Sequence, residues 1–222
     1  MCQIIVKHRG GSILTDHLTE AATNNPDGIG LSYSEGKLIK MAKGISLEAC
    51  IQLVNRIPVE ELLVVHFRLA TSGLRDTCNL HPFLLPSALV FHNGVINSEL
   101  YQEEIRSDTA IFTSEVLAQL PANFMSNPYI LEMLAEATWP DRFVFVGFQQ
   151  RKADVQILNQ QEGLDENGCW YSNDSHLSDN WIDSTDSQYD LLQPPADASN
   201  LQLESRKEIP YWNKEGGKHE RY

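Results

Sequence analysis

The chain begins Met1-Cys2-Gln3-Ile4-Ile5-Val6. Ile4 and Val6 fall on the same side as Cys2, the two-residue period of a β-strand. Loss of Met1 would leave a thiol and a free α-amine on one residue. A thiol attacks as the thiolate, and a free side chain titrates near ~8.5. An α-amine titrates near ~7.7–8.0, so part of it is an unprotonated base at neutral pH. Nucleophile and general base would then share a residue, as in N-terminal threonine and related enzymes. The alternative is a small buried hydrophobe that opens a strand. If Met1 stayed, the nitrogen would be an amide and the base would be lost.

Downstream, turn formers and periodic stretches lay out the elements. Ser12 is placed to cap a helix through about Ala22. Asn24-Asn25-Pro26-Asp27-Gly28 is dense in turn residues, and Ile29–Tyr33 with Lys37–Met41 reads as a hairpin around Glu35-Gly36. Ser46 opens an amphipathic helix with Leu47, Cys50, Ile51 and Val54 on one side. Leu62–Arg68 and Ala88–His92 are apolar runs of buried strands, the second ending at Asn93-Gly94. Thr109–Leu120 and Tyr129–Ala137 read as helices; Arg142–Phe148, Val155–Leu158 and the vicinity of Trp170-Tyr171 read as strands. Strands in adjacent runs with helices in two blocks predict an α+β fold, with antiparallel sheets covered by helices rather than alternating βαβ units.

Composition narrows the functional classes. The 222 residues suit one core-forming domain plus an appendage. No apolar run is long enough to span a membrane, and no secretory signal opens the chain. The four cysteines, Cys2, Cys50, Cys78 and Cys169, show neither metal-ligand spacing nor a disulfide framework, which implies a reducing, cytoplasmic setting. A formal net charge of −13 argues against unaided binding to nucleic acid. Acidic residues crowd the region after Gly163. Residues 179–222 read as an acidic, irregular tail following a domain over 2–178, with Trp181, Tyr189 and Trp212 as possible anchors. No nucleotide fingerprint, phosphate loop or metal motif is visible, so no cofactor is expected.

Four short segments carry chemistry. In His66-Phe67-Arg68-Leu69-Ala70-Thr71-Ser72-Gly73 a strand delivers Arg68 to a small-residue loop. Arginine's planar fork suits a carboxylate, although a surface arginine after a strand is the simpler alternative. Asn79-Leu80-His81-Pro82-Phe83 holds a histidine extended before proline, either to orient a ligand or as a structural residue. His92-Asn93-Gly94 offers an amide NH₂ and an approachable backbone N–H, two donors that make an oxyanion hole. Asn-Gly is also a common tight hairpin turn. In Ser107-Asp108-Thr109, Asp108 is either a helix cap or a partner for an ammonium group.

Taken in order, Cys2, Asn25-Pro26-Asp27-Gly28-Ile29-Gly30, His66–Gly73, Asn79–Phe83, His92–Gly94 and Ser107–Thr109 resemble the glutaminase domain of class II glutamine amidotransferases. These are N-terminal-nucleophile (Ntn) hydrolases. The resemblance runs from Cys2 to Thr109, with an echo at Trp170-Tyr171-Ser172-Asn173. It implies a four-layer αββα sandwich and hydrolysis of the glutamine side-chain amide through a thioester. By position, Cys2 resembles the nucleophile, and Asn93 and Gly94 the oxyanion hole. Arg68 matches the clamp for the substrate α-carboxylate, and Asp108 the partner of its α-ammonium. Thr71 and His81 match positions that line or support the pocket. Ser72 stands where many members carry histidine, Leu69 where some have tryptophan, and Ala110 where glutamate is frequent. Such domains usually deliver ammonia to a synthase. The length here implies an acceptor on a separate synthase or partner protein. The other expectations are a free-standing hydrolase of γ-glutamyl amides or peptides, and a non-catalytic binding module.

Overall fold

The computed structural model describes residues 2–96, 105–148 and 153–177. Met1 and the whole acidic stretch 179–222, including Trp181, Tyr189 and Trp212, lie outside the described residues. No described helix is long and apolar enough to cross a membrane.

The N-terminal strand β1 (Gln3–Lys7) lies inside the first sheet. Around it run β2 (Ile29–Glu35), β3 (Leu38–Lys43), β4 (Leu63–Phe67), and two short strands, here β9 (Leu164–Glu166) and β10 (Cys169–Tyr171). Their order is β3-β2-β4-β1-β10-β9. The second sheet has β5 (Phe83–Leu84), β6 (Ala88–Asn93), β7 (Arg142–Gly147) and β8 (Asp154–Leu158), in that order. Every pairing is antiparallel. Helices α1 (Thr15–Asn24) and α2 (Leu47–Arg56) accompany the first sheet, and α3 (Asp108–Glu115) and α4 (Pro128–Ala137) the second.

Alternation along each strand produces three apolar layers. Ile5, Leu31, Val65 and Tyr171 pack against Leu18 and Ala21 of α1 and Cys50 and Val54 of α2. Ile4, Val6, Val64 and Trp170 face the other way, onto Leu89, Phe91, Val144 and Val146 of the second sheet. On that sheet's far side Val90, Phe143 and Phe145 meet Phe112 of α3 and Leu134 of α4. Two strand faces of opposite use require a period of two, which is why Ile4 and Ile5 serve different cores. The protein is α+β, with two antiparallel sheets between helices, in keeping with the αββα sandwich.

Several element ends differ from the sequence reading. Ser12 caps nothing: α1 starts at Thr15 after Leu14, whose side chain makes no capping bond. Ser12 instead accepts from the Cys169 thiol through its carbonyl, 3.4 Å. Ser46 does cap α2, accepting from Ala49 N–H at 3.2 Å. The helix expected to reach Leu120 is α3, which stops at Glu115 and gives way to a 3₁₀ turn at Leu117–Gln119. The tight Asn-Gly hairpin is not at Asn93-Gly94. Asn167 and Gly168, at φ 52° and 73°, join β9 to β10, with Glu166 paired to Cys169. Positive φ at both central residues is the signature of a type I′ turn.

Trp170 is fully buried between the sheets, and its indole N–H donates to the Gln160 carbonyl at 3.0 Å. Trp170→Ala removes that packing from the central layer. Urea denaturation should show a loss of roughly 3–5 kcal/mol, the usual range for a buried aromatic.

Candidate active site

β1 pairs with β4 in the register Gln3↔Phe67. That register sets Cys2, one residue before β1, beside the residues that leave β4. The Cys2 sulfur accepts from the Leu69 N–H at 3.4 Å and lies 3.5 Å from the Leu69 carbonyl oxygen. Burial pushes the Cys2 thiol up; the Leu69 backbone bond and the charge of Arg68 pull it the other way. The net direction is upward, so at neutral pH the sulfur holds its proton and needs a base to release it.

Arg68 leaves β4 into the loop and is buried. Its two terminal nitrogens donate to loop carbonyls, Nη1 to Leu74 at 2.9 Å and Nη2 to Ser72 at 2.8 Å. Those bonds fix the guanidinium plane and leave three of its five N–H donors for other partners. Burial draws its pKa down, with Cys2 and Asp27 opposing. Asp108 sits at the first position of α3, and Ser107 is the cap, accepting from Ala110 N–H at 3.2 Å. The cap role therefore belongs to Ser107, and the Asp108 carboxylate faces elsewhere. Its Oδ1 accepts from Thr109 N–H at 2.7 Å and the Ser72 hydroxyl at 3.1 Å; Oδ2 accepts from Ile96 N–H at 2.8 Å. Ser72 thus contacts both charged groups, Arg68 through its carbonyl and Asp108 through its hydroxyl.

Cys2, Arg68, Thr71, His81, Gly94 and Asp108 line one pocket, which encloses about 300 Å³ including its open mouth. Asn93 does not line it. Its side chain is fully buried, with Nδ2 donating to Ser172 Oγ at 2.8 Å and Oδ1 lacking a partner. Gly94 is crowded: a Cβ there would lie 2.1 Å from the Asp141 carboxyl group. Gly30 is crowded too, since its Cβ would fall 1.8 Å from the His81 carbonyl oxygen. Glycine at position 30 lets β2 pass under the His81 loop.

Three buried histidines underlie the pocket. The His66 and His81 rings lie 4.0 Å apart between centroids, and His66 Nε2 sits 3.2 Å from the His92 carbonyl. His92 bridges Thr109 Oγ1, at 2.7 Å from Nδ1, and Asp141 Oδ2, at 3.1 Å from Nε2. Burial lowers His66 to about 3 and His81 well below the ordinary histidine value. Both are neutral at physiological pH and too weakly basic to match a thiol.

Sequence reasoning passed over several residues that hold this arrangement. Asp27 pins the Arg68 loop, accepting from Ala70 N–H at 2.7 Å and pairing with Arg75 at 3.2 Å. Asn79 ties the same loop to the approach of α3: its Nδ2 donates to Ile105 O at 2.7 Å and its Oδ1 accepts from Ser107 N–H at 2.7 Å. Both stand inside motifs quoted from the sequence. Ser172 stood within the Trp170–Asn173 echo but without a role, and Asp141 gave no signal, because its partner His92 lies far away along the chain.

No family model matches the chain. A stretch of 98 residues, 41% of this chain, is 36% identical to the glutamine–fructose-6-phosphate aminotransferase (isomerizing) of Agrobacterium fabrum (strain C58 / ATCC 33970). The match spans 14% of that relative's length. The similarity to this aminotransferase is distant and partial.

The neutral histidines carry a stability consequence. An unfolded chain binds a proton at His66 below pH ~6.5, whereas the folded one resists until about pH 3. Between those values the unfolded state holds more protons, so stability falls as pH falls. Denaturant titrations should show a loss of up to ~1.4 kcal/mol per pH unit from this residue within the window. His66→Gln should flatten the slope.

Proposed function

We propose that residues 2–178 form a glutaminase domain of the class II type, which releases ammonia from the glutamine side chain. The observation that supports it most is one pocket lined by Cys2, Arg68, Thr71, His81, Gly94 and Asp108, residues drawn from several elements. The partial similarity to an amidotransferase points the same way.

With Met1 removed, the Cys2 α-amine takes the thiol proton. Neither His66 nor His81 is basic enough for that step, which leaves the amine as the best-matched base. The sulfur attacks the side-chain carbonyl carbon of glutamine, and the carbonyl electrons move to oxygen. The Cys2 ammonium then protonates the leaving nitrogen as the C–N bond breaks, giving ammonia and a γ-glutamyl thioester. Water, deprotonated by the same amine, cleaves the thioester to glutamate and restores the thiol.

Arg68 receives the substrate α-carboxylate and Asp108 its α-ammonium. A glutamine inside a peptide has neither charge to offer and would leave Arg68 and Asp108 with their own loop hydrogen bonds but no opposite charge, an unfavourable outcome. Thr71 and His81 shape the space between.

The oxyanion is received by Gly94 N–H and by Asn93. Asn93 Oδ1 is now buried without a partner, while Ser172 Oγ accepts from both Asn93 Nδ2 and Ile4 N–H, each at 2.8 Å. The two ends of an amide are nearly the same shape. With the amide reversed, Oδ1 accepts the Ser172 hydroxyl proton and Nδ2 is freed to donate. That orientation satisfies every group once an oxyanion is present. Ammonia passes to an acceptor on a separate synthase or partner.

Intact-mass spectrometry on the processed protein tests the reading. An electrophilic glutamine analogue should add once, at Cys2, at a rate that climbs through about pH 7–8 as the amine deprotonates. An unlabelled Cys2 would overturn it. Asn93→Ala should slow glutamate formation by ~10²–10³-fold with little change in KM. Arg68→Lys should chiefly raise KM, since lysine cannot grip a carboxylate in two places. Turnover of the chain alone that is no slower than with candidate synthases would favour a free-standing hydrolase over an ammonia donor.

A further inference from the structure

On the helix-covered face of the first sheet, away from the pocket, three side chains converge that have no part in the amide chemistry. His17 comes from α1, Glu166 from the end of β9, and His176 from the segment after β10. Each offers one ligand atom, and the three atoms lie within 4.8 Å of one another. His17 and His176 are buried, while the Glu166 side chain is about half exposed.

The surroundings are ordered for ligation. His17 Nδ1 is engaged with the Tyr171 hydroxyl at 2.9 Å, which leaves Nε2 as its free nitrogen. A phenol oxygen accepting from Nδ1–H would place the lone pair on Nε2, the outer-shell device that orients most metal-bound histidines. The His176 ring stacks on Tyr171, with centroids 3.9 Å apart and planes 16° apart, and meets His17 edge-on at 4.8 Å. His176 Nε2 already lies 3.8 Å from Glu166 Oε2. A tetrahedral ion with ligands at ~2.0–2.2 Å needs donor atoms roughly 3.4 Å apart. From at most 4.8 Å, the three atoms would draw together by up to about 1.4 Å, and Glu166, the most exposed member, has a flexible stem for its share.

The geometry points to a binding site for a borderline divalent transition metal, zinc foremost, formed by His17, Glu166 and His176. Two imidazoles and one carboxylate suit zinc and exclude calcium and magnesium, which take oxygen ligands. Water would complete the coordination. The site would tie α1 and the β9–β10 hairpin to the segment 172–176. That segment also braces the nucleophile: Asn173 Nδ2 donates to the Cys2 carbonyl at 2.8 Å, and Gln3 Nε2 donates to the Asn173 carbonyl at 3.2 Å. Asn24 Nδ2 holds the Ser175 carbonyl at 2.8 Å. The metal would therefore stiffen the strap on which Cys2 rests without touching the substrate pocket.

The test uses the full chain in a Cys2→Ala, Cys78→Ser background, because an N-terminal cysteine and an exposed thiol also chelate zinc. Zinc(II) titration by calorimetry should give one ion per chain, together with a higher Tm. Cobalt(II) should show visible d–d absorption. Glu166→Gln, at an exposed position that leaves folding intact, should weaken binding by at least about tenfold; His17→Gln and His176→Gln should do the same. Absence of stoichiometric binding at micromolar zinc, or affinity unchanged in all three variants, would overturn the assignment.

Discussion

The antiparallel ladder between β1 and β4 is the constraint on which the pocket rests. Gln3 opposes Phe67 and Lys7 opposes Leu63, with Ile4, Ile5 and Val6 fully buried between them. A slip of one residue would turn Ile4 and Val6 toward the α1 and α2 layer and Ile5 toward the second sheet, exchanging two packed cores at once. The apolar layers on both faces therefore hold the register. The register in turn fixes the distance from Cys2 to Leu69 and Arg68. The first residues of a chain are ordinarily the least ordered in a domain; a core on each side of the first strand holds Cys2 in place here.

The charged groups around the pocket are held by neutral ones. Arg68 is gripped by backbone carbonyls, and Asp108 by backbone N–H groups and a serine hydroxyl. Neither spends its charge on the other. A direct Arg68–Asp108 pair would have to be broken before a zwitterionic ligand could enter; two separately supported charges need no such rearrangement. His66 and His81 beneath are kept neutral by burial, so they add no competing cation near Arg68. Ser72 is the link between the two sides, which gives a physical sense to a serine where the resembled family often has histidine.

Much of this was legible from residue order. Strand patterning located nearly every strand of the two sheets, with strands that serve two different cores, such as Leu63–Phe67 and Ala88–Asn93, visible as continuous apolar runs. It missed Phe83–Leu84 and Leu164–Glu166, which are too short to show a period. Of the two Asn-Gly dipeptides, Asn93-Gly94 ends a strand as its sequence suggested, whereas Asn167-Gly168, which turns a hairpin, was overlooked. What separates them is tertiary. Asp141 crowds Gly94, while Gly168 takes a positive φ of 73° beside the backbone of Gly11. Pocket residues within short motifs stood out, since neighbouring residues in sequence share one loop. Asp141 and the His17–Glu166–His176 group did not, because only folding brings them beside their partners.

A crystal structure of the Met1-processed protein soaked with glutamate would test the central claim most directly. The account places the α-carboxylate on Arg68 and the α-ammonium on Asp108. The side-chain carboxylate should lie between the Cys2 sulfur and the Gly94 N–H, with the Asn93 amide turned toward it. Glutamate bound elsewhere, or a Cys2 sulfur out of reach of that carboxylate, would contradict the account.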